Sequence, residues 1–304
     1  MSPQSGFIFA LESARTSSGR QYSEVPPMKS SALARVTEED VQGFQRDGAV
    51  CLHGVFDRYW VDRVAAGIER NLAGPSAYAK FYTPKGNPGF FFGDYCNWSR
   101  FPEFREFVHH SPAAAIAGRV MRSRQVRIFH DHLLVKEPGT LERTPWHHDQ
   151  PYYGIDGQQV CSIWMPLDPV PRGTCIEYVA GSHRWGQWFT PRRFVDHRDY
   201  DYEPGAYPSV PDIDAQREKY TILSWDVEPG DCIVFHALTL HGAPGNLSLE
   251  RRRRALSTRW LGDYVVYAKR PGTTSPPFPE LEGRLQPGDP MDHELFPVVW
   301  PRAE

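Results

Sequence analysis

The stretch TPWHHDQPYY, residues 144–153, sets two histidines and an aspartate side by side between proline–aromatic pairs. On a strand, residues i and i+2 project to the same face. His147 and Asp149 then point together, one imidazole and one carboxylate able to chelate a single cation, while His148 points the other way. A third ligand must come from elsewhere. FHALTLHGAPGN supplies His241, which follows a strand-like run and precedes a glycine that eases the chain's turn. His236 competes with it, but sits inside IVFHAL without a following glycine and reads as a core histidine.

Two neutral imidazoles and one carboxylate occupy one face of an octahedron and leave three positions open, the arrangement of non-heme Fe(II) oxygenases. A closed zinc site wants four ligands instead. The two readings call for different companions: a co-substrate anchor or a fourth ligand. RRRRALSTRW, residues 251–260, offers an anchor, because a buried guanidinium grips a carboxylate through two parallel hydrogen bonds. Strand alternation turns about one arginine of the run inward, and the others read as a solvated face.

TPWHHDQPYY, YVAGSHRWG, GDCIVFHALTLHGAPGN and RRALS, in that order, resemble the phytanoyl-CoA dioxygenase family of Fe(II)/2-oxoglutarate oxygenases, from about Thr37 to Tyr267. The resemblance implies a double-stranded β-helix, or jelly roll, that uses Fe(II), 2-oxoglutarate and O2 to hydroxylate an unactivated carbon of a small molecule. It makes His147, Asp149 and His241 the iron ligands and Arg253 the partner of the C5 carboxylate of 2-oxoglutarate. Lys136 falls where the family places a cofactor-contacting lysine, and Trp164 matches a tryptophan of the same pocket. Asp149 stands where related halogenases carry a small residue, which favours hydroxylation over halogenation. One departure is RGTC at 172–175, where the family commonly reads NG.

Strand alternation adds to this. His130, His132, Leu134 and Lys136 share a face, as do Arg253, Ala255 and Ser257, so His132 and Ser257 join the expected cofactor pocket. The same chemistry, differently directed, desaturates, epimerises or closes a ring. Two other classes stay open: a jelly-roll protein that holds metal or 2-oxoglutarate without turnover, and a cupin-like zinc hydrolase or isomerase.

The elements that must position these residues follow from pattern. Residues 1–35 lack periodicity and read as a loosely held leader. VTEEDVQGFQRDG predicts a helix capped by Thr37 and Asp40 and stopped at Gly48. Val61, Val64, Ala65, Ile68 and Leu72 make one apolar stripe on a second helix, and Ser111 and Pro112 open a third. From residue 124 the texture becomes short Val-, Ile- and aromatic-rich runs cut by Gly, Pro and Asp turns. Helices followed by many strands predict a mainly β jelly roll with N-terminal helices packed on one sheet, a single catalytic domain over 36–304. Its parts are a helical segment 36–123, a β core 124–267 and a wrapping tail 268–304, in which Leu295, Phe296, Val298, Val299 and Trp300 look buried. A polar insertion at 186–222 reads as a lid or a disordered loop. Ser182 and His183 of AGSH read as turn-closing residues. FYTPKGNPGFFFGDYCNW lines a substrate mouth or packs under the lid.

Composition narrows the partners. A formal net charge of −3 argues against nucleic acid or an anionic membrane. No apolar run approaches the ~18 residues of a membrane span. Five scattered cysteines with no CxxC pair fit reduced thiols in a cytoplasm rather than a thiolate metal site. The expected partner is a small-molecule substrate; the oligomeric state stays open.

Overall fold

Thr37 accepts a hydrogen bond from the Asp40 amide at 3.1 Å, and the Asp40 carboxylate accepts one from the Thr37 amide at 2.8 Å. This reciprocal cap opens the helix Glu38–Asp47, which ends at Gly48 in the left-handed region. The computed structural model describes residues 30–203 and 205–301, so most of the expected leader lies outside the described residues. Its described end forms a short helix, Ser30–Ala34. A longer helix, Arg58–Ala73, buries Val61, Val64 and Ile68 and half-buries Ala65 and Leu72. A helix at Pro102–His110 was not anticipated. The helix expected from Ser111 begins at Ala113, with Pro112 as its cap.

Two antiparallel sheets form the body. The larger runs in the order Ala49–Leu52, Cys232–His236, Val160–Pro166, Arg253–Leu261, Val126–Lys136, Phe91–Tyr95, Lys80–Phe81, with Val298–Trp300 also paired to Val126–Lys136. The smaller runs Thr144–His147, His241–Ala243, Glu177–Val179, Ile222–Leu223. One face of the larger sheet, including Leu133, Val135, Ile163, Leu256 and Trp260, packs with Val64, Ile68, Phe104, Ile116 and Val120 of the helices. The other face supplies Trp164, Ile233, Phe235 and Ala255 to a second core shared with Ile176 and Tyr178. This is the expected jelly roll with helices on one sheet. No helix among the described residues is long and apolar enough to cross a membrane.

The 186–222 insertion has little regular structure yet is anchored. Phe189, Val210 and Ile213 are buried with Trp146, Val179 and Leu240. In the tail, Phe296 and Val299 are buried, whereas Leu295 and Trp300 are half-buried and Val298 is exposed. Alternation along that edge strand turns Val298 outward. The basic run also differs from expectation. Arg251 is exposed, but Arg252 pairs with Glu69 at 2.8 Å and Glu137 at 2.5 Å, and Arg254 pairs with Asp168 at 2.8 Å and Glu69 at 3.0 Å. Acids on the adjoining helix and loops, invisible to local pattern, draw these two arginines in.

Gly48 turns the chain from helix to strand with φ of 81°, and a Cβ there would collide with Thr239 and His183. Gly43 lies in the same helix with open space around it. Gly48→Ala is therefore expected to lower stability by about 1–3 kcal/mol, through αL strain and collision. Gly43→Ala should raise it by about 0.5–1 kcal/mol. Thermal and urea unfolding of the two variants check the contrast in sign.

Candidate active site

The two histidines meet because their strands pair. His241 lies directly across from His147 in the smaller sheet, with ring centroids 4.2 Å apart. Each ring is fixed by its Nδ1–H, donated to a backbone carbonyl: Pro145 at 2.8 Å for His147 and Thr239 at 2.9 Å for His241. That tautomer leaves both Nε2 lone pairs free to face Asp149 Oδ1, at 3.6 Å from His147 and 3.8 Å from His241. The three ligand atoms lie within 4.8 Å of one another and all three residues are buried. Asp149 departs from the strand logic, because the strand ends at His147 and Asp149 has helical angles (φ −72°, ψ −40°) at the start of a 3-10 turn. A bend, rather than strand alternation, brings the carboxylate beside the imidazole.

Electrostatics keep the donor set ready for a cation. Burial, helped by the neighbouring His147, pushes the His241 imidazole down to about 3, so it is neutral near pH 7. Burial works to raise Asp149, but the Arg259 guanidinium and the two imidazoles outweigh it and hold the carboxyl well below its usual range. Two imidazole nitrogens and one carboxylate suit a divalent iron ion, and three facial donors leave room for further ligands.

Lys136 and Arg253 sit opposite one another across the long strand pair. Lys136 Nζ donates to the carbonyls of Glu142 at 2.8 Å and Pro244 at 3.1 Å, and lies 4.2 Å over the Phe91 ring. Arg253 donates to the carbonyls of Thr174 and Pro244, the latter at 3.0 Å. Among the described residues neither forms an ion pair, although both are buried. Burial holds the Lys136 ammonium well below its ordinary value and pushes Arg253 down to about 10. Two buried basic groups whose partners are backbone carbonyls and, for Lys136, the Phe91 ring offer an anion a place to bind.

The triad, Lys136, Arg253, Trp164, His132 and Ser257 all line one cavity of about 390 Å³. Ser257 lies between His132 and Trp164 on the two neighbouring strands. His148 is absent from that lining: its buried ring faces Phe189, whose amide donates to Nε2 at 2.9 Å. His236 bonds the Gln158 carbonyl at 2.7 Å and accepts the Leu238 amide, as a core histidine does. Ser182 and His183 close the turn through Val179, Leu240 and Gln45.

Several site residues escaped the sequence reading. Arg259 lines the cavity, and its signal was present, since alternation through Arg253, Ala255 and Ser257 reaches it next. Ser162 touches Asp149 from a neighbouring strand, which no motif marks. From the insertion come Arg192, Arg193, Phe194 and Tyr200, with the Phe194 ring 4.9 Å from His147. Irregular backbone has no period from which to read their direction.

Fold and site together define the class, a jelly-roll protein with a buried His–Asp–His group suited to a metal ion. The family model for phytanoyl-CoA dioxygenase matches residues 44–255, and the chain belongs to that family. It is 30% identical over 143 residues to the 1-deoxypentalenic acid 11-beta-hydroxylase of Streptomyces arenae, covering 46% of this chain and 48% of that protein. It is 28% identical over 154 residues to a probable phytanoyl-CoA dioxygenase of Caenorhabditis elegans, covering 48% of this chain and 46% of that one. The chain thus spans about half the length of these curated relatives. In fold it is similar to SnoK, a non-heme α-ketoglutarate-dependent carbocyclase from nogalamycin biosynthesis, at a TM-score of 0.68 and 24% identity, covering 90% of this chain and 100% of that one. The epimerase SnoN is similar too, at 0.64 and 22%, covering 86% and 98%.

His147→Ala is expected to abolish retention of Fe(II) or Co(II) in equilibrium dialysis. His148→Ala should retain the metal but leave the Phe189 amide unpaired, at a cost of about 1–3 kcal/mol. Faster proteolysis within 186–222 would report that loosening. Loss of metal in His148→Ala alone would reverse the ligand assignment.

Proposed function

We propose that this chain is an Fe(II)/2-oxoglutarate-dependent hydroxylase acting on an unactivated C–H bond of a small molecule, with residues 36–304 as one catalytic domain. The observation that carries this reading is the shared cavity, with a His–Asp–His triad inside and a buried cation pair at its wall. His147, Asp149 and His241 would hold the iron, and Arg253 with Lys136 the far carboxylate of 2-oxoglutarate. Trp164, His132 and Ser257 would flank the co-substrate. Bound there, iron and 2-oxoglutarate would activate O2, releasing succinate and CO2 as the substrate is oxidised. The chain's own part is to orient both reactants and exclude water, which Phe194 and the packed insertion favour.

The substrate end of the cavity is phenolic and largely charge-compensated. Tyr82, Tyr95, Tyr152, Tyr153, Tyr200 and Phe194 line it. Arg192 is tied to Asp199 at 3.2 Å and Arg193 to Asp201 at 2.8 Å. Arg252 and Arg254 are also committed to acids, so the RRRR run is poorly placed to receive the phosphates of a CoA thioester. A free, uncharged, ring-containing compound with hydroxyl or carbonyl oxygens suits these walls best. Free buried cysteines support a cytoplasmic setting.

The test is turnover. Fe(II)-loaded protein, 2-oxoglutarate, O2 and a metabolite library should give succinate together with a product heavier by one oxygen. A product lighter by two hydrogens, or of unchanged mass and inverted configuration, would instead mark desaturation, ring closure or epimerisation. Arg253→Met should raise the KM for 2-oxoglutarate on the order of a hundredfold, because it removes one charge of a buried pair. Metal and 2-oxoglutarate bound without succinate from any compound would favour a binding protein.

A further inference from the structure

We propose that Ser162 and Arg259 act as positioning residues that hold Asp149 to a single-oxygen grip on the metal. This rests on the triad being the iron site. The two carboxylate oxygens of Asp149 have different surroundings. Oδ1 faces the Nε2 atoms of both histidines, whereas Oδ2 accepts a hydrogen bond from Ser162 Oγ at 3.0 Å and lies 3.6 Å from Arg259 Nη2. Ser162 and Arg259 are paired across adjacent strands of the larger sheet, so both approach the same oxygen from one rigid surface. Arg259 is itself held, donating from Nε to Tyr153 Oη at 3.1 Å and from Nη1 to the Ser257 carbonyl at 2.8 Å. Its remaining nitrogen is the one turned to Asp149. Both residues are buried, at 0% and 5% exposure, so water does not replace either contact.

A carboxylate can bind a cation through one or both oxygens. If Oδ2 swung onto the metal, it would take one of the three positions left by the triad. Bound 2-oxoglutarate would need that room, and a second oxygen from Asp149 would compete for it. The serine hydrogen bond and the arginine charge disfavour that swing. They also draw charge from the carboxylate, so their loss strengthens its hold on a metal while narrowing access for the co-substrate. Simple neutralisation of a buried acid makes a different prediction: metal and co-substrate binding weaken together.

The experiment uses the full chain loaded with Co(II), without O2, and titrates 2-oxoglutarate into the wild type, Ser162→Ala, Arg259→Gln and Arg259→Lys. The expected result for Arg259→Gln is Co(II) affinity equal to or above wild type, 2-oxoglutarate affinity lower by roughly tenfold or more, and an altered visible Co(II) spectrum before 2-oxoglutarate is added. Ser162→Ala, a small change within a fully buried strand, should move the same way by a few-fold even if Arg259→Gln fails to fold. Arg259→Lys, which keeps the charge, should fall between Arg259→Gln and wild type. Unchanged 2-oxoglutarate affinity and spectrum in Ser162→Ala and Arg259→Gln would overturn the proposal, as would parallel losses of metal and co-substrate. A wild-type Co(II) protein that binds no 2-oxoglutarate would instead sink the functional reading on which it rests.

Discussion

The antiparallel strand Arg253–Leu261 is the constraint on which the rest depends. It lies between Val126–Lys136 and Val160–Pro166, and its alternation serves two environments at once. Leu256 and Trp260 turn to the helical layer, while Arg253, Ala255, Ser257 and Arg259 turn to the cavity. A one-residue slip would put the arginines into the apolar layer and Trp260 into the cavity. The same pairing that stabilises the core therefore sets the spacing of the cavity's charges. Arg253 and Arg259 lie six residues apart on one face, which separates the cationic wall from the metal end.

Charge is arranged in this cavity against its ordinary cost. An isolated buried ion loses several kcal/mol of hydration, which a partner must offset. Arg259 finds that partner in Asp149. Lys136 and Arg253 share the Pro244 carbonyl and have no carboxylate partner among the described residues. An anion would complete their stabilisation, as the proposed binding of a carboxylate requires. The helical layer shows the opposite choice: Arg252 and Arg254, neighbours of Arg253 in sequence, are neutralised locally by Glu69, Glu137 and Asp168.

Much of this was legible before the fold. Short Val-, Ile- and aromatic-rich runs cut by turns predicted the strands, the Thr37–Asp40 cap and Gly48 predicted the first long helix, and H-x-D with a distant H-G brought out the three residues that the fold gathers. What could not be read has physical reasons. The bend at Asp149 is a local departure from strand geometry, so a correct pairing of side chains came from an incorrect premise about the backbone. Ser162 approaches Asp149 from the larger sheet, while Asp149 follows a strand of the smaller one, a meeting that no local pattern marks. Phe194 and Tyr200 sit on a segment without periodicity, held by burial of Phe189, Val210 and Ile213. Arg259 is the instructive omission, because the alternation that placed Arg253 and Ser257 extends to it unchanged.

The central claim is that the cavity is a receptor for a metal-chelating dicarboxylate, read at one end by the triad and at the other by Arg253 and Lys136. The most direct measurement compares, without O2, the binding of 2-oxoglutarate and 2-oxopentanoate to the Fe(II)-loaded protein, following the visible absorbance of the chelate. The two ligands share the chelating 2-oxo acid and differ in the distal carboxylate. The account predicts that 2-oxoglutarate binds on the order of a hundredfold more tightly, since its rival leaves two buried cations unpaired. Equal affinities, or no chelate absorbance with either ligand, would contradict it.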